Sequence, residues 1–329
     1  MKIAVLANTE RQKEIFKDEH YRIMEKYGSL ELNDGNEGPS EKEAASLIKG
    51  ADIAITSWNC PPFTRDILDE APDLKLVIHA AGSVRGIVTD ELWNRGIRVV
   101  SAASALGKGV AETALGLTIV SLKNIFNLNM VTSMGGWNLQ NHTVKDIYDI
   151  KIGVIGAGHA GRHYIKLMRN FEVEILLYDP TLDEEACKEL GARKCTLASL
   201  MAESDVVSVH APSLPVTRHM INAENLSRMK DGAVLINTAR GTLVNEYDLI
   251  EELRKGRISA CIDVTDPEPP AELNELRLIP NVILTPHIAG AVTNGRKRIG
   301  ALAVAELESF MKNENLENEV FLHQMGRLA

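Results

Sequence analysis

Little in this chain of 329 residues points to a metal centre, a disulfide scaffold or a nucleic-acid surface. It has only four cysteines, Cys60, Cys187, Cys195 and Cys261, and no CxxC pair. Neither a disulfide framework nor a zinc site is therefore indicated, and a reducing compartment fits. His79 and His219 have no nearby acid or metal-ligand spacing and read as structural or surface histidines. Positive charge is also short: 36 lysines and arginines face 45 acidic residues, for a net charge of −9. That balance provides no broad footprint for nucleic acid or for an anionic membrane. The one dense basic run, Arg296, Lys297 and Arg298, reads as a solvated helix face.

Long apolar runs are missing as well. The longest, residues 114–122, falls short of the roughly 20 residues a membrane span needs. KIAVL after Met1 is followed too soon by charges to be an export signal. Solenoid repeats and low-complexity tracts are absent too. These absences lead to the expectation of a cytoplasmic protein with small-molecule partners, no nucleic acid and no membrane.

What is present is ordinary globular composition, 45% hydrophobic and 25% charged, in a chain longer than one core usually serves. Short Val- and Ile-rich runs alternate with helical stretches, which predicts an α/β protein with parallel sheets covered on both faces. Strands are expected at 2–6, 51–56, 74–79 and 97–100 in a first doubly wound unit. Six more, at 151–155, 174–178, 206–210, 233–237, 259–263 and 282–284, make a full dinucleotide-binding sheet. Between the two series, VAETALGLTIVSL is apolar on nearly every face and predicts a helix buried between domains or subunits. The segment 292–312 is helical in period and is expected to pack back onto the first unit, making that domain discontinuous.

Gly156-Ala157-Gly158-His159-Ala160-Gly161 follows an apolar strand and opens a helix, the context in which GxGxxG carries meaning. Gly156 permits the tight turn, Gly158 lets backbone approach a pyrophosphate, and Gly161 allows helix and strand to touch. The amides of His159 and Ala160 then face an anion at a helix N-terminus. Asp179 lies 23 residues after Gly156, where a carboxylate can receive the adenosine ribose hydroxyls. It would repel a 2′-phosphate, which favours NAD over NADP. The loop His210-Ala211-Pro212 either lies against the adenine side or is a plain turn.

Three chemically able side chains follow successive strands of that sheet. Arg240, after the strand at 233–237, offers a planar fork for a carboxylate. Glu268 sits in the stiff loop Asp266-Pro267-Glu268-Pro269-Pro270. His287 follows the strand at 282–284 and suits donation of a proton to an alkoxide forming at C2 of a 2-oxo acid. A carboxylate beside that imidazole favours its protonated form and fixes the ring, and Glu268 is the candidate. No metal is called for.

Through GAGHAG, HAPSLPVTRHMIN, LINTARGTLVNE, DVTDPEPP and LTPHIAGA, in that order, the sequence resembles the D-isomer-specific 2-hydroxyacid dehydrogenases. The resemblance implies a Rossmann NAD-binding domain, residues 104–290, inserted into a smaller flavodoxin-like substrate domain, residues 1–103 and 291–329. It also implies that Arg240, Glu268 and His287 are the catalytic residues. Asp263 would hold the nicotinamide carboxamide, Thr238, Ala239 and Gly290 would line the nicotinamide, and Ala211, Pro212 and Thr217 would complete the cofactor set. Gly82 and Ser83 would join Arg240 in binding substrate. The loop departs from the family's Gly-x-Asp pattern, running Gly82-Ser83-Val84-Arg85-Gly86, so the 2-oxo acid is left open, as is any contact from Arg85. A homodimer through residues 109–137 is implied too. The reading is reduction of a small 2-oxo acid, glyoxylate- or hydroxypyruvate-like, to its D-2-hydroxy acid. An NAD(H)-sensing corepressor-like protein and a formate dehydrogenase are the alternatives.

Overall fold

The computed structural model describes residues 1–137, 144–290 and 292–327. The chain forms two compact units, one of Met1–Leu106 with Ala291–Ala329 and one of Gly107–Gly290.

In the first unit five parallel strands, β1 (Lys2–Val5), β2 (Ser29–Leu32), β3 (Ile53–Thr56), β4 (Leu76–His79) and β5 (Arg98–Ser101), lie in the order 2-1-3-4-5. Glu319–Val320 adds an antiparallel edge strand against β5. Every residue of β3 and β4 is buried, as expected when helices cover both faces of a parallel sheet. The helix Lys297–Met311 belongs to this unit. It buries Ile299, Ala303 and Leu307 against Ile15, Phe16 and Met24. The basic run is not simply a solvated face: Arg296 pairs with Glu14, and the Lys297 ammonium donates to the Phe16 carbonyl at 2.7 Å. Glu14 of the helix Thr9–Ile15 and the carbonyl just past that helix have captured these two cations, which local sequence spacing cannot reveal.

The second unit holds seven parallel strands: β6 (Tyr148–Ile155), β7 (Glu172–Tyr178), β8 (Arg193–Lys194), β9 (Val206–Val209), β10 (Val234–Asn237), β11 (Ser259–Ile262) and β12 (Val282–Leu284). Their spatial order is 8-7-6-9-10-11-12. The order reverses between β6 and β9, and in open α/β sheets ligands bind beyond the carboxyl ends of strands at such a switch point.

The helix Ala103–Leu122, at 20 residues, is long and apolar enough to cross a membrane by length and composition. The apolar run at 114–122 underestimated it because Lys108 and Glu112 interrupt the pattern. Its Ala111, Ala114, Leu117 and Leu122 pack with Ile152, Val154 and Ile236 of the second sheet. Thr113 donates to the Ala289 carbonyl at 3.2 Å. These contacts bury one side of the helix in the second unit, and only 33% of its apolar window is buried among the described residues. The next helix, Ile125–Ser133, has no buried residue.

Candidate active site

At the end of β6 the chain turns on Gly156, whose φ of 90° is the left-handed region that favours glycine. A Cβ there would lie 2.8 Å from the Ala211 backbone. One at Gly161 would lie 2.1 Å from the Gly156 carbonyl oxygen, so the helix His159–Met168 rests directly on the turn. A Cβ on Gly158 would meet nothing within 4 Å. Two glycines are thus forced by protein contacts, whereas the third faces open space beside the helix N-terminus, where His159 and Ala160 begin the helix.

Asp179, just past β7, is fixed from both sides. Oδ2 accepts from the Ala157 amide at 2.8 Å. Oδ1 accepts from the Thr181 amide at 2.8 Å and hydroxyl at 2.7 Å. Beyond β9, His210 is buried, its Nε2 lying 2.9 Å from Ser208 Oγ, and burial holds its pKa down at about 4. In the following loop Thr217 donates to the Pro212 carbonyl at 2.6 Å and accepts from the Leu214 amide at 2.9 Å. That hydroxyl serves to stiffen the loop carrying Ala211 and Pro212.

Two buried polar atoms at these strand ends, Thr238 Oγ1 and His210 Nδ1, have no partner among the described residues. Buried polar groups are nearly always paired. An unmet hydroxyl after β10, an open space at Gly158 and an anchored carboxylate at Asp179 together fit a dinucleotide laid across the switch point.

The sequence pattern did not reveal two residues that build the rest. Asn237, buried at the end of β10, accepts from the Ala239 amide at 3.1 Å and donates to the Arg240 carbonyl at 2.9 Å. It thereby shapes the Thr238–Arg240 turn. Thr285 donates to Asp263 at 2.6 Å. A polar residue closing an otherwise apolar strand was the available signal for both.

Asp263 itself is nearly inaccessible. Its carboxylate also accepts from the amides of Ile288 and Ala289, each at 2.9 Å, and its carbonyl accepts from the His287 amide at 2.9 Å. It is the anchor of the His287 loop, whatever else it contacts. His287 has a φ of 54°, and its Nδ1 lies 2.5 Å from Glu268 Oε1. Both side chains are about half exposed. With Nδ1 committed, Nε2 is the nitrogen left for a ligand. Arg240 is exposed and donates to the Ala239 carbonyl at 2.7 Å. Gly290 follows the loop, with its carbonyl packed where a Cβ on Gly109 would come within 2.7 Å.

Gly82 and Ser83 lie in the first unit, in the loop after β4. The Gly82 carbonyl accepts from Ser101 Oγ at 2.6 Å. The Arg85 guanidinium donates to the Met325 carbonyl at 2.5 Å, which ties it to the C-terminal segment.

A doubly wound sheet with a glycine turn at its switch point, and with a carboxylate-held imidazole beyond β12, is the framework of a nicotinamide-dependent oxidoreductase. The chain belongs to the D-isomer specific 2-hydroxyacid dehydrogenases: residues 115–289 match the family's NAD binding domain. It is 31% identical to a glyoxylate reductase of Korarchaeum cryptofilum, over 90% of this chain and 91% of that enzyme. It is also 31% identical to a D-3-phosphoglycerate dehydrogenase of Methanocaldococcus jannaschii, over 91% of this chain but only 56% of that longer protein. Among solved structures, a Thermus thermophilus protein aligns with a TM-score of 0.75 at 28% identity, covering 98% of this chain and all of that one. The protein is accordingly an NAD-dependent dehydrogenase acting between 2-oxo and 2-hydroxy acids.

Proposed function

We propose that the protein reduces a small 2-oxo acid, glyoxylate or hydroxypyruvate in kind, to the D-2-hydroxy acid. The observation that carries this reading is the 2.5 Å contact between His287 Nδ1 and Glu268 Oε1. It leaves Nε2 to give a proton to the oxygen on C2 as that oxygen gains charge, while Glu268 keeps the ring oriented. The planar fork of Arg240 orients the acid and polarises its carbonyl. Backbone at Gly82 and Ser83 receives the carboxylate.

NADH supplies the hydride when bound. Gly156, Gly158, His159 and Ala160 would hold its pyrophosphate, Asp179 the adenosine ribose, and Ala211, Pro212 and Thr217 the adenine side. Thr238, Ala239, Asp263 and Gly290 would hold the nicotinamide. Residues 104–290 then serve as the dinucleotide-binding domain, and residues 1–103 with 291–329 as the substrate domain. Reductases of glyoxylate and of hydroxypyruvate are among the relatives that match over about nine-tenths of both chains, which supports this substrate size. We place the protein in the cytoplasm, where four unpaired thiols are stable, as a homodimer through residues 109–137.

The test is loss of nicotinamide absorbance with purified protein and a panel of 2-oxo acids, each run with NADH and NADPH. Turnover of a two- or three-carbon oxo acid with NADH is expected. NADH binding without turnover of any oxo acid would overturn the reading and favour a nucleotide-sensing role.

A further inference from the structure

Residues 318–325 run along the first unit in a series of bonds that ends on the loop after β4. At the start the Asn318 carbonyl accepts from the Ser101 amide at 3.1 Å. The buried Glu306 carboxylate accepts from the Asn318 amide at 2.9 Å and from its side chain at 2.6 Å. Glu319 then receives both arms of the Arg98 fork, at 2.8 and 2.6 Å, and Val320 pairs with Val99 of β5. Beyond it the chain makes the short 3₁₀ turn Leu322–Gln324, where the Met325 amide donates to the Leu322 carbonyl at 3.1 Å. The Met325 carbonyl is thus set in place by its own segment, and it is this oxygen that accepts from the Arg85 guanidinium at 2.5 Å.

The turn on the other side of that bond is small. Val84–Gly86 is a single 3₁₀ turn, a form with poorer hydrogen-bond geometry than an α-helix. Its Val84 carbonyl accepts from the Ile87 amide at 3.0 Å, and Ser83 Oγ accepts from the Arg85 amide at 3.4 Å. Val84 and Ile87 root it in the apolar cluster that also contains Val99 and Val320, and Met325 packs against the same cluster. Ser101 bonds both partners, the Gly82 carbonyl through its hydroxyl at 2.6 Å and Asn318 through its amide. The loop and the segment 318–325 are therefore joined at two places, Ser101 and the Arg85–Met325 bond. Of residues 82–86 only Arg85 carries a side-chain donor long enough to make the second, and a charged donor makes the stronger kind of hydrogen bond.

We propose that Arg85 is a positioning residue for the reaction: by clamping the turn Val84–Gly86 to the segment 318–325, it holds the Gly82–Ser83 backbone in the conformation that receives the substrate carboxylate. This rests on the function proposed above, which gives that backbone its ligand. Without the clamp Gly82 keeps its bond to Ser101 and Val84 its place in the cluster, so the fold survives. What is lost is the order of the peptides between them, and binding must then supply that order.

The experiment is steady-state kinetics with NADH and the best 2-oxo acid for the wild type, Arg85→Met, Arg85→Lys, Met325→Ala and the double variant Arg85→Met with Met325→Ala, beside NADH titration and a thermal melt. Methionine keeps much of the stem and removes the donors, lysine restores one, and Met325→Ala loosens the residue that accepts. Arg85→Met is expected to raise KM for the oxo acid roughly 3-fold to 10-fold, the worth of one exposed hydrogen bond, with kcat, NADH affinity and melting temperature close to wild type. Arg85→Lys should recover most of the loss. Met325→Ala should raise KM as well, and the double variant should be no worse than Arg85→Met, because both changes break one contact. A merely structural role would lower the melting temperature without a selective rise in KM. If Met325→Ala does not fold, the contrast between Arg85→Met and Arg85→Lys decides. Unchanged KM in Arg85→Met, with wild-type turnover intact, would overturn the clamp alone. So would losses that multiply in the double variant, which would place Arg85 on the substrate itself. A wild type that binds NADH but turns over no oxo acid would instead remove the functional reading and this inference with it.

Discussion

At the scale of single residues, His287 shows how the fold holds a group in an unfavourable conformation. Its φ of 54° is left-handed, which costs a non-glycine residue roughly 1–2 kcal/mol. Asp263 sustains it by accepting from Thr285, Ile288 and Ala289 through its side chain and from His287 through its carbonyl. With the ring so placed, His287→Ala is expected to lower kcat by about 100-fold to 10,000-fold, the usual range for a lost general acid, while NADH affinity in a fluorescence titration stays within a factor of a few. Unchanged kcat would remove His287 from the chemistry. Glu268→Gln keeps a hydrogen-bond acceptor beside Nδ1, so a smaller kcat loss than that of His287→Ala is expected in the same assay. Legibility differed among these residues. The contact between Glu268 and His287 was readable because both lie beyond strand ends in a chain with a nucleotide fingerprint. The anchoring role of Asp263 was not, because it depends on amides 25 and 26 positions away that only the folded loop brings to it.

At the scale of elements, the turn from β6 into the helix His159–Met168 separates structural from ligand-facing glycines. Gly161→Ala would drive a methyl group to within 2.1 Å of the Gly156 carbonyl. It should therefore unfold or sharply destabilise the second unit, by about 2 kcal/mol or more. Gly158→Ala meets no protein atom within 4 Å, so its melting temperature should stay near that of wild type while NADH affinity falls at least tenfold. Equal losses of stability in the two variants would contradict this division. The central strands were legible because parallel strands buried on both faces read as continuous apolar runs. The edges were not. β8 and Glu319–Val320 are two residues long, and three of the four residues of β2 are exposed. Such strands are made by the neighbour they pair with, and their own sequences carry no periodicity to detect.

At the scale of the whole molecule, burial lowers the pKa of histidines in both units, furthest for His79 in the first and His210 in the second, and in the same direction for His20 and His159. Unfolded, each would take up a proton near pH 6.5, whereas burial lowers His79 and His210 to about 4 in the fold. Between those values the unfolded chain binds more protons than the native one, so stability rises with pH across that window. The contribution of His79 and His210 is complete above about pH 6.5, declines as pH falls, and is lost near pH 4, each of the two accounting for on the order of 3 kcal/mol. Urea unfolding of the full chain followed at about pH 7 and about pH 5 should therefore show a marked loss at the lower pH. His79→Gln, which has no titratable ring, should reduce that loss while leaving the shares of His210, His20 and His159. Identical pH dependence in wild type and His79→Gln would mean that burial does not hold His79 neutral in the fold.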